Sequence, residues 1–205
     1  MQTDWEKPSV GYKIIDELGN NHLFGFIYRQ YIKTLGLRGD ETLLDFGSGS
    51  GAGSKHLAKI LRGGGKLVCV DTSAYWTAKA KKRLRKYKNV TFHTDPLTEL
   101  NLAADCFDVI HVFYVLHDVS EPLRPGIIKE FFRILKPNGR LCLKEPQRES
   151  DGMPVSEIKE LMSSNGFITT FELEKRGAYR GVFSKGAGGA SSNINSRHYI
   201  LLLSQ

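Results

Sequence analysis

The 205 residues are 40% hydrophobic and carry a formal net charge of +7. That content excludes a disordered chain, and the length is that of one domain, read as 1–205. No run approaches the roughly 18 apolar residues that cross a bilayer, and the polar opening from Met1 to Pro8 lacks the basic-then-apolar layout of a secretory signal.

Residues 10–35 read mostly as helix, because Leu23, Phe24, Ile27, Tyr31, Ile32 and Leu35 recur at three-to-four spacing. Gly36 and the Gly39-Asp40 pair end it. It precedes the first strand, so 1–39 is a helical extension and 40–205 the core. Its aromatic residues, Phe24, Phe26, Tyr28 and Tyr31, either lid a small pocket or pack the helix on the sheet. Thr42 to Phe46 reads as a short apolar strand. A glycine loop from Gly47 to Gly53 follows, then a helix from Ser54 to Leu61 stopped by Gly63, Gly64 and Gly65. Lys66 to Val70 is a second strand that ends at Asp71. A helix from Ser73 to Tyr87 follows, with Thr72 or Ser73 as N-cap. Its basic run, Lys79 to Lys88, is either a solvated face or a nucleic-acid footprint. Val90 to His93 is a third strand, followed by Asp95-Pro96. Phe107 to Tyr114 is a fourth, almost wholly apolar as a central parallel strand should be. Ile127 to Leu135 reads as helix, Pro137-Asn138-Gly139 as a turn, Arg140 to Lys144 as a fifth strand and Val155 to Ser164 as helix. Phe167 to Leu173 and Tyr199 to Leu203 are the last strands, an antiparallel pair across the Gly-, Ser- and Asn-rich stretch from Ser184 to Ser196. The alternation from 42 to 164 predicts βα units on a mostly parallel sheet.

The segment Leu43-Leu44-Asp45-Phe46-Gly47-Ser48-Gly49-Ser50-Gly51 runs a strand through glycines into a helix. Glycines there allow a tight backbone and close approach by a ligand, and the helix N-terminus offers free amides. Asp71 lies 20 residues beyond Gly51, where an acid accepts the ribose hydroxyls of a nucleotide-like cofactor or, alternatively, caps the next helix. No GxxxxGK[ST] phosphate loop is present. The dinucleotide pattern GxGxxG also fails, since the sixth position is Ala52 counted from Gly47 and Ser54 counted from Gly49. Asp45 would repel a pyrophosphate but suits a cationic ligand.

This segment resembles motif I of the class I S-adenosylmethionine-dependent methyltransferases. Val68-Cys69-Val70-Asp71 resembles their second strand with its ribose-binding acid. Thr94-Asp95-Pro96 resembles the stretch where an acid meets the adenine amino group. Phe107 to Ile110 with Tyr114 to His117 resembles the fourth-strand motif, and Leu135 to Leu141 the turn before the fifth strand. The likeness covers roughly 40 to 145. It implies a Rossmann-like, doubly wound, seven-stranded α/β sheet, mostly parallel with the last strand antiparallel, and S-adenosylmethionine as cofactor. Asp45, Gly47 and Gly49 would surround its methionine part, with Ser48, Gly51 and Thr72 in the same cofactor set. Asp71 would bind the ribose, Asp95 and Pro96 would flank adenine, and Tyr114 would face the sulfonium and the acceptor.

Methyl transfer from a sulfonium is a direct displacement with a neutral leaving group, so alignment does most of the work. A base is needed where the acceptor starts protonated. The catalytic candidates are Tyr114, His117 and Glu145, at the carboxyl ends of strands four and five. His117 has the most suitable ordinary pKa, and is either that base or a hydrogen-bonding pocket residue. No metal site is expected: His22, His56, His93, His111 and His198 sit on separate elements without HxxxH or HExxH spacing. His111, inside an apolar strand, reads as a core histidine. Cys69, Cys106 and Cys142 have no CxxC spacing and fit buried thiols in a reducing compartment, hence the cytoplasm. The family's Asn/Asp-Pro-Pro-Tyr/Phe segment for amino methylation is absent. The short stretch 145–154 leaves no room for a large substrate domain, so a small-molecule acceptor is expected, on a monomer or homodimer. An RNA-modifying methyltransferase, or a cofactor-binding partner subunit without catalysis, are the alternatives.

Overall fold

A computed structural model describes Asp16, residues 23–147 and residues 152–186, leaving out the side chains of Leu23, Phe24 and Ile27. The chain divides into two compact units, Met1–Pro96 and Leu97–Gln205.

The first unit holds α1 (Leu23–Lys33), β1 (Thr42–Phe46), α2 (Ser54–Ile60), β2 (Lys66–Val70), α3 (Ala74–Leu84) and β3 (Val90–His93). Tyr31, Ile32 and Leu35 of the predicted stripe are buried. Buried Glu41 fastens the turn into β1 by accepting the amides of Arg38 at 2.7 Å and Gly39 at 2.8 Å. The three strands pair in parallel, with Phe46 opposite Val70 and Val70 opposite His93, so their carboxyl ends are level. On α3, Trp76, Thr77, Ala80 and Leu84 form the buried stripe, and the Ser73 hydroxyl caps the helix by accepting the Trp76 amide.

The second unit holds β4 (Phe107–Phe113), α4 (Arg124–Ile134), β5 (Leu135–Pro146), α5 (Val155–Ser164), β6 (Phe167–Lys175) and β7 (Ala178–Lys185). β4 and β5 are parallel, and β7 runs antiparallel to both β5 and β6. The seven strands form one sheet in the order β3-β2-β1-β4-β5-β7-β6.

Three local expectations are corrected. The strand that closes the sheet is Ala178–Lys185, paired with β6. Arg176 and Gly177 join them with φ of 54° and 70°, both left-handed as a two-residue hairpin turn of the primed type requires. The expected partner, Tyr199 to Leu203, lies outside the described residues, as does all of 10–22 except Asp16. Pro137-Asn138-Gly139 does not precede β5 but bulges within it: Leu135 stands opposite Phe107, and the next pair is Arg140 with Val109. The fourth-strand crossover helix starts at Arg124 and not at Ile127, because Pro125 fits the first helical turn, where its missing N–H is not needed.

Candidate active site

The first unit gathers the glycine loop and Asp71. Gly47 and Ser48 donate their amides to the Val70 carbonyl at 2.8 and 3.2 Å, so the loop leaves β1 across the end of β2. Gly49 and Gly51 have φ of 52° and 77°, which favour glycine. The two differ in what surrounds them. A Cβ on Gly51 would lie 2.5 Å from Leu84 Cδ1, whereas one on Gly49 would meet nothing within 4 Å. The Gly49 amide donates to Asp71 Oδ2 at 2.7 Å, and the Ser73 amide to Asp71 Oδ1 at 3.0 Å. Asp71 is therefore a clasp between the glycine loop and Ser73, the residue that caps α3. Asp45 is buried and accepts the Ser54 hydroxyl at 2.6 Å, which ties β1 to the start of α2. Burial, and then the Asp45 charge, push the neighbouring Cys69 thiol well above its usual range and keep it neutral. Thr72, Asp95 and Pro96 are exposed. The Asp71 amide donates to the His93 carbonyl at 3.2 Å, which sets Asp71 beside the stretch leading to Asp95.

One part of this cluster was not anticipated. The Ser50 hydroxyl donates to Asp16 Oδ1, and Arg83 donates to the Ser50 carbonyl at 2.7 Å. Lys79 Nζ and Arg83 Nη2 lie 3.2 and 3.5 Å from Asp16 Oδ2. Two cations of the basic run thus hold the loop and are not a solvated face. Their i, i+4 spacing, which puts them on one side of a helix, was the available signal.

The second unit gathers Tyr114, His117 and Glu145. Tyr114 has φ of 57°, uncommon for a bulky residue and found where a site enforces it. Its amide donates to the Lys144 carbonyl at 2.8 Å. The residue is 38% exposed, and its ring packs edge-on to Phe113 at 4.5 Å. The chain then makes one 3-10 turn, Leu116–Asp118. Glu145 is fully buried beneath it. Its Oε1 accepts the Val115 and Leu116 amides at 3.0 and 2.9 Å, and Oε2 the His117 amide at 3.4 Å. His117 Nδ1 lies 2.6 Å from Oε2. Four donors enclose this carboxylate, so it orients its neighbours and does not meet an acceptor itself. A carboxylate at Nδ1 keeps the ring proton there and leaves Nε2, 3.5 Å from Asp118 Oδ2, as the nitrogen that exchanges protons. Buried Arg124 donates to the Val119 carbonyl at 2.9 Å and the His117 carbonyl at 3.3 Å, and pairs with Glu157. Sequence reasoning did not find Arg124, whose role depends on tertiary contacts.

His111 is buried in β4. The three cysteines are free thiols, two buried and Cys106 partly so. Among the described residues no group of three or more His, Cys, Asp or Glu side chains is gathered around a metal position. No helix among them is long and apolar enough to cross a membrane.

A methyltransferase-domain family model matches residues 44–143. The demethylmenaquinone methyltransferase of Tropheryma whipplei (strain Twist) is 32% identical over 119 residues, covering 57% of this chain and 46% of the relative. The chain spans about half the length of the curated relatives it matches. A solved S-adenosylmethionine-dependent methyltransferase from Aquifex aeolicus aligns with a TM-score of 0.65 at 23% identity, over 76% of this chain and 87% of that one. The [4+2]-cyclase SpnF aligns with a TM-score of 0.68 at 17% identity, over 80% and 82%. The second of these is a cyclase, so the shared fold does not by itself name a reaction.

Proposed function

The chain has the class I S-adenosylmethionine-dependent methyltransferase fold, and on that premise we propose that it transfers the methyl group to a small-molecule acceptor by direct displacement. The observation that carries this reading is the Gly49–Asp71 clasp at the level ends of β1 and β2. It presents a ribose-accepting carboxylate beside a left-handed glycine with open space at its α-carbon.

S-adenosylmethionine, when bound, supplies an electrophilic methyl on a cationic sulfur that leaves as a neutral thioether. The chain's own groups do the rest. Asp71 accepts the ribose hydroxyls, and the glycine loop, open at the Gly49 α-carbon, lets the amino-acid part lie close against its backbone. His117, its Nδ1 proton held by Glu145, takes at Nε2 the proton that the acceptor loses. Tyr114 orients the reacting groups through its constrained backbone. The engagement of Lys79 and Arg83 with Asp16 favours a small acceptor over RNA, because it draws on the basic run that suggested nucleic acid. The free thiols support a reducing compartment, the cytoplasm.

Titration calorimetry with S-adenosylmethionine and S-adenosylhomocysteine tests the reading, followed by assay of methyl release with candidate acceptors. Binding of both is expected. Absence of heat from either up to millimolar concentration sinks the proposal.

A further inference from the structure

The turn after β4 closes part of its hydrogen bonding on itself. The Asp118 amide donates to the Val115 carbonyl at 3.0 Å, and the Val119 amide to the Leu116 carbonyl at 3.1 Å. The amides ahead of these, at Val115, Leu116 and His117, go to Glu145. The carbonyls of His117 and Val119 go to Arg124, at 3.3 Å from Nη2 and 2.9 Å from Nε. Two side chains of opposite charge thus hold one turn, a carboxylate taking its donors and a guanidinium its acceptors.

Arg124 stands against local preference in two ways. It opens α4, where the helix dipole disfavours a cation. It is also only 8% exposed, and a buried charge costs stability unless it is paired. Glu157, in the first turn of α5, supplies the pairing at 2.5 Å from Nη1. Departures of this kind from local rules gather where function requires them. The planar fork of arginine meets two carbonyls and a carboxylate from one rigid group, a geometry that the flexible stem of lysine does not reproduce.

His117 lies between two carboxylates. Nδ1 is 2.6 Å from Glu145, and Nε2 is 3.5 Å from Asp118 on the same turn. The proton of the neutral ring goes to Nδ1 while the first contact is the shorter. When the turn shifts away from Glu145, Asp118 moves with His117 and draws the proton to Nε2. A ring protonated there has no lone pair at that atom for a further proton. We propose that Arg124 is a positioning residue for His117. Held by Glu157, its guanidinium fixes the carbonyls of the turn, and so keeps Nδ1 on Glu145 and Nε2 able to accept. The inference rests on the reading of His117 as the group that takes the acceptor's proton.

Protein with isotope-labelled histidines, saturated with S-adenosylhomocysteine, is read by nitrogen NMR at about two pH units above the ordinary histidine value, where the ring is neutral. His117→Asn assigns the signals of that ring. The parent shows the Nδ1–H tautomer. Arg124→Gln and Arg124→Lys each raise the ratio of Nε2–H to Nδ1–H by about tenfold, the scale of a lost hydrogen bond to a charged group. Glu157→Gln keeps one oxygen for Arg124 to meet and raises the ratio by less. It decides the question should the Arg124 variants not fold. Arg133→Gln breaks an ion pair with Glu130 on the same helix and leaves the ratio as it was. Circular dichroism and S-adenosylhomocysteine affinity are unchanged in all of them. A parent-like ratio in Arg124→Gln and in Glu157→Gln overturns the inference, as does an equal rise in Arg133→Gln. Failure of S-adenosylhomocysteine to bind the parent overturns the methyltransferase reading instead, and the ratio in the unliganded protein still decides whether Arg124 positions the ring.

Discussion

Asp71 holds two amides with one carboxylate, and those amides come from different elements, the glycine loop and the start of α3. Its replacement by alanine removes both ties and, on the proposed function, the ribose acceptor. Asp71→Ala is expected to weaken S-adenosylhomocysteine binding by about 1.5–3 kcal/mol, read by calorimetry. Asp71→Asn loses less, because one oxygen still accepts. His117 carries a different expectation. His117→Asn lowers kcat by about a hundredfold or more if its Nε2 takes the acceptor's proton, and leaves cofactor affinity alone. Glu145→Gln gives a partial loss and a shifted pH profile, because the amide still accepts at one atom but no longer favours the imidazolium. An unchanged kcat in His117→Asn would reassign that ring to shaping the pocket. The place of Asp71, at the end of a strand and beside a glycine loop, was visible in the chain, and Ser73 was one of the two caps expected there. The enclosure of Glu145 was not, because its four donors come from a turn some 30 residues away.

At the scale of elements, the two glycines of the loop separate packing from ligand access. Gly51→Ala meets Leu84 and a left-handed backbone together and should cost about 3 kcal/mol of stability in denaturant unfolding. Gly49→Ala has only the backbone strain, about 1 kcal/mol, and should lose cofactor affinity more than stability. Lys144 of β5, opposite Arg180 of β7, carries a second prediction. Because the folded pKa of Lys144 is lowered, the protonated side chain is disfavoured in the fold at neutral pH. The unfolded chain binds more protons between that lowered value and the usual 10.5, so stability from this group rises with pH across the window. Lys144→Met is therefore more stable than the parent at pH 7, and its advantage shrinks as the pH climbs towards 10.5. Melting curves at several pH values check this, and an advantage independent of pH counts against it. The first three strands were legible because each is a short run closed by glycine, aspartate or a proline turn, and β4 because it is an almost wholly apolar run. β7 was missed because its turn pairs Arg176 with Gly177, where the familiar hairpin signal is Asn-Gly or Asp-Gly. The serine and glycine beyond Ser184 also drew attention away from the strand that contains it.

For the whole molecule, the alternation of strand and helix signals from 42 to 164 predicted a mostly parallel sheet, and the family resemblance supplied the count of seven strands. What the sequence left out was long-range electrostatics. Asp16 meets Lys79 and Arg83 across more than 60 residues, and no local pattern encodes such a meeting. A net charge of +7 thus overstates the basic surface at α3. Ligand linkage gives a global check: S-adenosylhomocysteine at a hundredfold excess over its Kd should raise the unfolding free energy by about 2.7 kcal/mol. A melting temperature that does not move with ligand concentration would contradict binding to the folded state.

The turn after β4 is anchored to Glu145 mainly through the amides of Val115, Leu116 and His117. Main-chain groups persist through any substitution other than proline, so this anchor does not depend on which side chains the turn displays. Exchanging His117 forfeits one side-chain bond and leaves three donors in place. On the proposed function, a lineage with this chain as ancestor could therefore sample new residues at 117, and with them new acceptors, without first losing the scaffold that aims them. The buried glutamate is in this sense a source of evolvability: the position that changes chemistry and the position that preserves geometry are different residues, open to selection separately.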